Sequence, residues 1–245
     1  MGLTIHYKLR LPAAADAAAA KKLVHAARRR AGALVKRRQL REIQAVRAVD
    51  PDDPRCSGFV LEKRGDETFG HTVHPEAGWM YRVFPGEGCE SAEFGLCLYP
   101  ATIRSGGRRF RTGCGGWGYA GFCKTQYASL HGAANFLRCH KAVIDLLVIW
   151  KRLGVTVTIQ DEGGYWPDRN EQKLLAEVGD MNRLVAALGG ALKDAGDDDG
   201  TTVKSPIFQH GQFELLEAEG LSRHGSSIGA AVDSLIRHPR PDNHG

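Results

Sequence analysis

The stretch GGWGYAGFCKT, residues 115–125, decides between two kinds of fold. Gly116, Gly118 and Gly121 meet the spacing G-x-G-x-x-G, and Lys124-Thr125 follow much as a Walker lysine would. A dinucleotide fingerprint needs an apolar strand before the glycines, a helix starting on the last of them and an acid about 20 residues further on. Here the lead-in is GGRRFRTGC, the next helical pattern begins near residue 133, and the first acid downstream is Asp145, inside that pattern. A Walker lysine directly follows its glycine, whereas Phe122 and Cys123 intervene and would rotate Lys124 by roughly 200° in a helix. The stretch is therefore read structurally. Its glycines let Trp117, Tyr119 and Phe122 lie against bare backbone, and residues 104–131, rich in glycine and arginine, read as one extended loop.

The flanking chain supplies regular elements. LTIHYKLRL (3–11) alternates as a strand and Pro12 closes it. Residues 13–34 are an alanine-rich helix with Leu23, Val24, Ala27, Ala31 and Leu34 on one stripe. Strands are expected at 42–49, 58–63, 79–84 and 93–99, with DPDDPR and PGEGCES as turns. Residues 133–154 form a helix that is apolar around most of its circumference, and VTVTIQ is a strand running into DEGGYW. Asp168 with Glu171 is expected to cap the next helix, whose Leu174, Leu175, Val178, Met181, Leu184, Val185, Leu188 and Leu192 face one way. GDDDGTT (196–202) reads as a solvated loop, SPIFQHGQFELLEAEG as a short docking segment, and 221–245 as a weakly structured tail. This order predicts one α+β domain over residues 1–220, a mixed or antiparallel sheet carrying three main helices.

Composition narrows the class of protein. A chain of 245 residues that is 42% hydrophobic and 25% charged can bury a core unaided. Its net charge of +5 allows an acidic partner, protein or nucleic acid. None of the six cysteines stands in a C-x-x-C pair, which removes zinc-ribbon and thioredoxin readings. The N-terminus has no long apolar region, and AVIDLLVIW is too short and carries Asp145, so a soluble cytoplasmic protein with reduced thiols and no membrane partner is expected.

Three constellations could carry function. Glu87 and Glu90 of PGEGCES, Lys124 and Tyr127 of FCKTQY, and Asp161 and Glu162 of DEGGYW flank strand ends; in one cleft the carboxylates would serve as acid and base and Lys124 as an anion clamp. From Lys21 to Arg41 there is no acid, and Arg28, Arg29, Arg30, Arg37 and Arg38 accumulate there. With Arg108, Arg109 and Arg111 beside the aromatic stretch, these are the candidate polyanion-binding residues. His71-x-x-His74 and Cys139-His140 are the best metal candidates, but the first lies in a loop and neighbours on a helix point about 100° apart, so no metal site is assigned and no cofactor is indicated.

GLTIHY, FGLCLYP, GFCKTQYA and DEGGYW together resemble segments of a group of uncharacterised bacterial proteins. That resemblance implies a soluble cytoplasmic protein and lends no catalytic residue. The sequence thus favours a binding or regulatory protein, with a small carboxylate enzyme and a nucleic-acid-associated protein as alternatives.

Overall fold

The computed structural model describes residues 3–64, 67–197 and 203–237. Along the chain run β1 (Thr4–Arg10), α1 (Ala17–Lys36), the two-residue strands β2 (Glu42–Ile43) and β3 (Arg47–Ala48), β4 (Gly58–Arg64), β5 (Glu67–Val73), β6 (Ala77–Phe84) and β7 (Ala92–Tyr99). They are followed by β8 (Thr102–Ser105), β9 (Arg108–Arg111), β10 (Gly116–Lys124), α2 (Ala133–Arg152), β11 (Thr156–Asp161), α3 (Glu171–Asp197) and α4 (Phe213–Arg237), with 3₁₀ turns at Gln126–His131 and Pro206–Gln209. The fold is α+β. Seven strands form one antiparallel sheet in the order β11-β1-β10-β7-β6-β2, with β3 also on β6, while β4–β5 and β8–β9 are separate hairpins.

The expected loop over 104–131 is corrected: it holds β9, all of β10 and a 3₁₀ turn. β10 joins the two halves of the sheet, pairing with β1 along Gly118–Lys124 and with β7 along Gly116–Gly118. The glycines do accommodate rings, since a Cβ on Gly121 would lie 2.7 Å from the Tyr119 ring and 2.9 Å from that of Tyr7. Phe122, by contrast, is 53% exposed.

Helices cover one face. Phe94 of β7 stacks on Tyr7 and Tyr81, and Tyr81 stacks in turn on Trp150 of α2. Trp117 stacks on Trp79, over which Lys21 of α1 reaches. α1 starts one turn later than expected because Asp16 caps it, accepting the N–H of Ala19 at 2.7 Å. Across β6–β7 the other face is covered by the segment around residues 47–57. Buried Glu93 pairs with Arg82 at 2.7 Å and lies 3.6 Å from Arg47 and 3.7 Å from Arg55, while Asp53 accepts the Arg55 fork in two bonds of 2.8 Å. Burial pushes Glu93 above its ordinary pKa against the pull of Arg47 and Arg55, whereas the Arg55 fork holds Asp53 below the usual carboxylate range.

The C-terminal part differs from expectation. Asn170, not Asp168, caps α3, accepting the N–H of Lys173 at 3.0 Å. The stripe of α3 is shared out: Leu174 and Val178 join the main core, Val185 packs with Ile207, and Leu184, Leu188 and Leu192 pack with Ile228 and Val232 of α4. The residues from 221 on, expected as a weak tail, continue α4 through residue 237, and the second half of the docking segment is its first turns. Of the expected loop GDDDGTT, residues 198–202 lie outside the described residues, as do 238–245 of the tail.

Candidate functional site

The three segments PGEGCES, FCKTQY and DEGGYW meet at one end of the main sheet. The N–H of Glu90 donates to the carbonyl of Lys124, that of Thr125 to Leu3 and that of Glu162 to Thr4, so the start of β1 lies between the other two strand ends. Their side chains nevertheless do not form one carboxylate cleft. Lys124 stands 3.7 Å from Glu90, both half-exposed. Glu162 accepts the Thr4 N–H at 2.9 Å and lies 3.6 Å from Nε2 of His6. Glu87 sits in the β6–β7 turn with its carbonyl taken by Asn135, and Tyr127 lies half-buried in the 3₁₀ turn.

Asp161 faces inward. Its side chain is fully buried and accepts the N–H groups of Gly163 at 2.8 Å and Trp166 at 2.9 Å. Nε2 of His140, equally buried on α2, lies 3.1 Å away, off the line of a well-aligned hydrogen bond. Nδ1 of the same ring is 2.8 Å from Oγ1 of buried Thr125. Burial raises the pKa of Asp161, but His140 and the two backbone donors outweigh it and hold the carboxyl below its ordinary value. The order threonine–histidine–aspartate has the members of a nucleophilic triad, yet no member is open to substrate. It serves as a polar bolt between β10, α2 and β11.

The metal candidates separate likewise. His71 bonds Glu62 at 3.1 Å and stacks on Phe110, while His74 turns to the carbonyl of Pro51. Among the described residues no group of three or more histidine, cysteine or acidic side chains is placed to hold a metal ion.

Beside the three-segment end lies a surface that sequence reasoning passed over. The faces of β10, β1 and β11 turned away from the helices are exposed except at Gly118, and their register sets three cross-strand rows: Phe122–His6–Gln160, Ala120–Lys8–Thr158 and Gly118–Arg10–Thr156. His6, Lys8 and Arg10 alternate with buried Ile5, Tyr7 and Leu9, which is the ordinary period of a half-buried strand. Gly118 and Ala120 keep the floor low. Depressions of about 300 Å³ and about 540 Å³ share Lys8, Ala120 and Thr158 and so form one groove, and no acidic residue lines either. Arg10 is braced by the carbonyls of Gly113 at 3.1 Å and Gly115 at 3.5 Å, which leaves its charge uncompensated. Lys124 reaches to 5.9 Å from the centre of the Phe122 ring at one end; Phe59, 68% exposed on β4, stands at the other.

The arginines expected to bind polyanions fall in two other places. Arg29, Arg30, Arg37 and Arg38 are exposed on or just past α1, while Arg28 is tied to the carbonyl of Gln44, all on the helical side of the sheet. Arg108, Arg109 and Arg111 are exposed on β9, Arg109 bonded to Thr102. No protein-family model matches the chain, and no curated protein or solved structure shows significant similarity to it.

Proposed function

We propose that the protein is a binding protein that engages single-stranded nucleic acid on the open face of β10, β1 and β11. The carrying observation is the acid-free groove in which Lys8 and Arg10 alternate along one strand between the exposed rings of Phe122 and Phe59. Cations along a shallow track meet phosphates, and exposed rings stack on bases of any sequence. From His6 to Arg10 the track runs about 14 Å, room for a few nucleotides per molecule. An acidic peptide would satisfy the cations but would leave the rings without planar partners. A cytoplasmic location belongs to this reading and agrees with six cysteines present as free thiols.

The test is fluorescence anisotropy with a labelled 12-nucleotide single strand at low and raised salt. Wild type is expected to bind, F122A to bind roughly 5- to 100-fold more weakly through one lost stack, and K8Q/R10Q to bind more weakly and with a shallower salt dependence. Binding that survives these changes and is lost in R29Q/R30Q would move the interface to α1. No binding by wild type would overturn the reading.

A further inference from the structure

A second concave site lies where the end of α1, the β6–β7 turn and the start of α2 meet. Arg38, Arg41 and Arg138 line a depression of about 340 Å³, with Gly86, Asn135 and the single acid Glu87. Three guanidiniums against one carboxylate leave an excess of two positive charges.

Arg138 is held in place. Its Nη1 donates to the carbonyls of Gln39 at 3.2 Å and Pro85 at 2.7 Å, and its Nη2 to Oδ1 of Asn135 at 2.6 Å and Sγ of Cys139 at 3.5 Å. All four acceptors are neutral, so orientation is fixed while the charge stays unanswered. Gly86 makes room, since a Cβ there would fall 2.2 Å from Nη2.

Arg38 has a left-handed backbone, φ 58°, just past the end of α1. The N–H of Gln39 reaches back to the carbonyl of Leu34 at 2.8 Å, a helix end at which glycine or asparagine is usual. A longer residue there is strained, and such strain collects at ligand clamps. Here it places an arginine on the rim of the depression. α2 also starts without a side-chain cap, and Asn135 in its first turn lines the same space.

We propose that this depression binds a phosphate or pyrophosphate group, clamped by Arg38, Arg41 and Arg138. The site stands apart from the open sheet face and does not depend on what binds there. Its volume suits a small anionic head rather than a whole cofactor; the planar forks of Arg38 and Arg41 match phosphate oxygens in pairs, and Arg138 contributes its fixed charge.

Isothermal titration calorimetry of the full chain with inorganic pyrophosphate, and separately with inorganic phosphate, tests the assignment. Saturable 1:1 binding is expected, weakened about tenfold by R41Q, the loss of one charge-assisted bond, and unchanged in K8Q/R10Q. R38G separates binding from folding. Glycine suits the left-handed position, so this variant is expected to melt higher than wild type while binding more weakly. The proposal is overturned by the absence of saturable heat, by R38G and R41Q binding as wild type does, or by an equal loss in K8Q/R10Q, which would mark general attraction to a basic protein. Displacement of pyrophosphate by a 5′-phosphorylated oligonucleotide, but not by its 5′-hydroxyl form, would assign the phosphate to a nucleic-acid end; equal failure of both would assign it to a small metabolite.

Discussion

Replacing Asp161 by asparagine changes few atoms and reverses one hydrogen bond. The carboxylate now accepts on both oxygens, from Gly163 N–H at 2.8 Å and Trp166 N–H at 2.9 Å, with His140 Nε2 at 3.1 Å. Asparagine has one carbonyl oxygen and one NH₂ group, so whichever way it turns, a donor faces a buried donor. An unsatisfied buried backbone group costs about 1–3 kcal/mol, and a hydrogen bond to a charged acceptor contributes about 1.5–3 kcal/mol. D161N is therefore expected to lose about 3 kcal/mol, a large part of the 5–15 kcal/mol typical of a folded domain. Equilibrium urea unfolding, followed by tryptophan fluorescence, should show the midpoint falling by about 1 M or more. T125V strips the third member and should cost about 1–2 kcal/mol alone. In the double variant the two losses should fall short of additive by at least about 0.5 kcal/mol. A midpoint for D161N within about 0.2 M of wild type, or additivity in the cycle, would refute the bolt.

Stability should also fall in acid. Asp53 and Asp161 both have folded pKa values below the ordinary carboxylate value of about 3.9, so their contribution is complete above about pH 5 and fades as pH falls through the folded values, with Glu93, shifted upward by burial, offsetting part of the loss; chemical unfolding from pH 7 to 3 measures it. G121A should cost about 1–3 kcal/mol, because its Cβ would meet the rings of Tyr7 and Tyr119 inside a packed face; thermal melts check this. E93A removes the acceptor that Arg82 and Arg47 share and should cost about 1–3 kcal/mol, visible in the same melts. If the open face holds a single strand through Lys8, Arg10 and Lys124, affinity against salt should have a log–log slope of about −2, shrinking by about 1.4 in K8Q/R10Q.

Much of this fold could be read from residue pattern, and the misses have common causes. α2 and β1 were legible because each buries a face of the period its secondary structure demands. β10 was not, because its alternation is written in glycine and alanine as well as rings: Gly118 and Ala120 form a groove floor where a larger residue would have signalled a strand. α4 was hidden for a related reason. It approaches α3 so closely that a Cβ on Gly220 would lie 2.2 Å from the carbonyl oxygen of Arg183, and an interface of small residues leaves little hydrophobic period. The convergence of the three polar segments at one sheet end agrees with their places at strand ends. The inward turn of Asp161 depends on His140 and Thr125, which reach it from two other elements, and no local spacing announces that. Lys8 and Arg10 looked like the solvent side of an ordinary strand, and their proposed ligand-facing role emerges only once β10 and β11 stand beside them with no helix above.

The place of β1 also bears on how the chain is made. Of the described strands β1 is made earliest, yet it pairs on one side with residues 118–124 and on the other with residues 156–161. At about 5–20 residues per second, roughly 8–30 s separate its synthesis from that of its last partner. Through that interval a strand with one apolar face has both edges open, a standing invitation to pair wrongly or with another nascent chain. Lys8 and Arg10 on its other face oppose such pairing by repulsion between copies, so the residues proposed to hold a ligand in the finished protein would also act earlier, as its guard against aggregation.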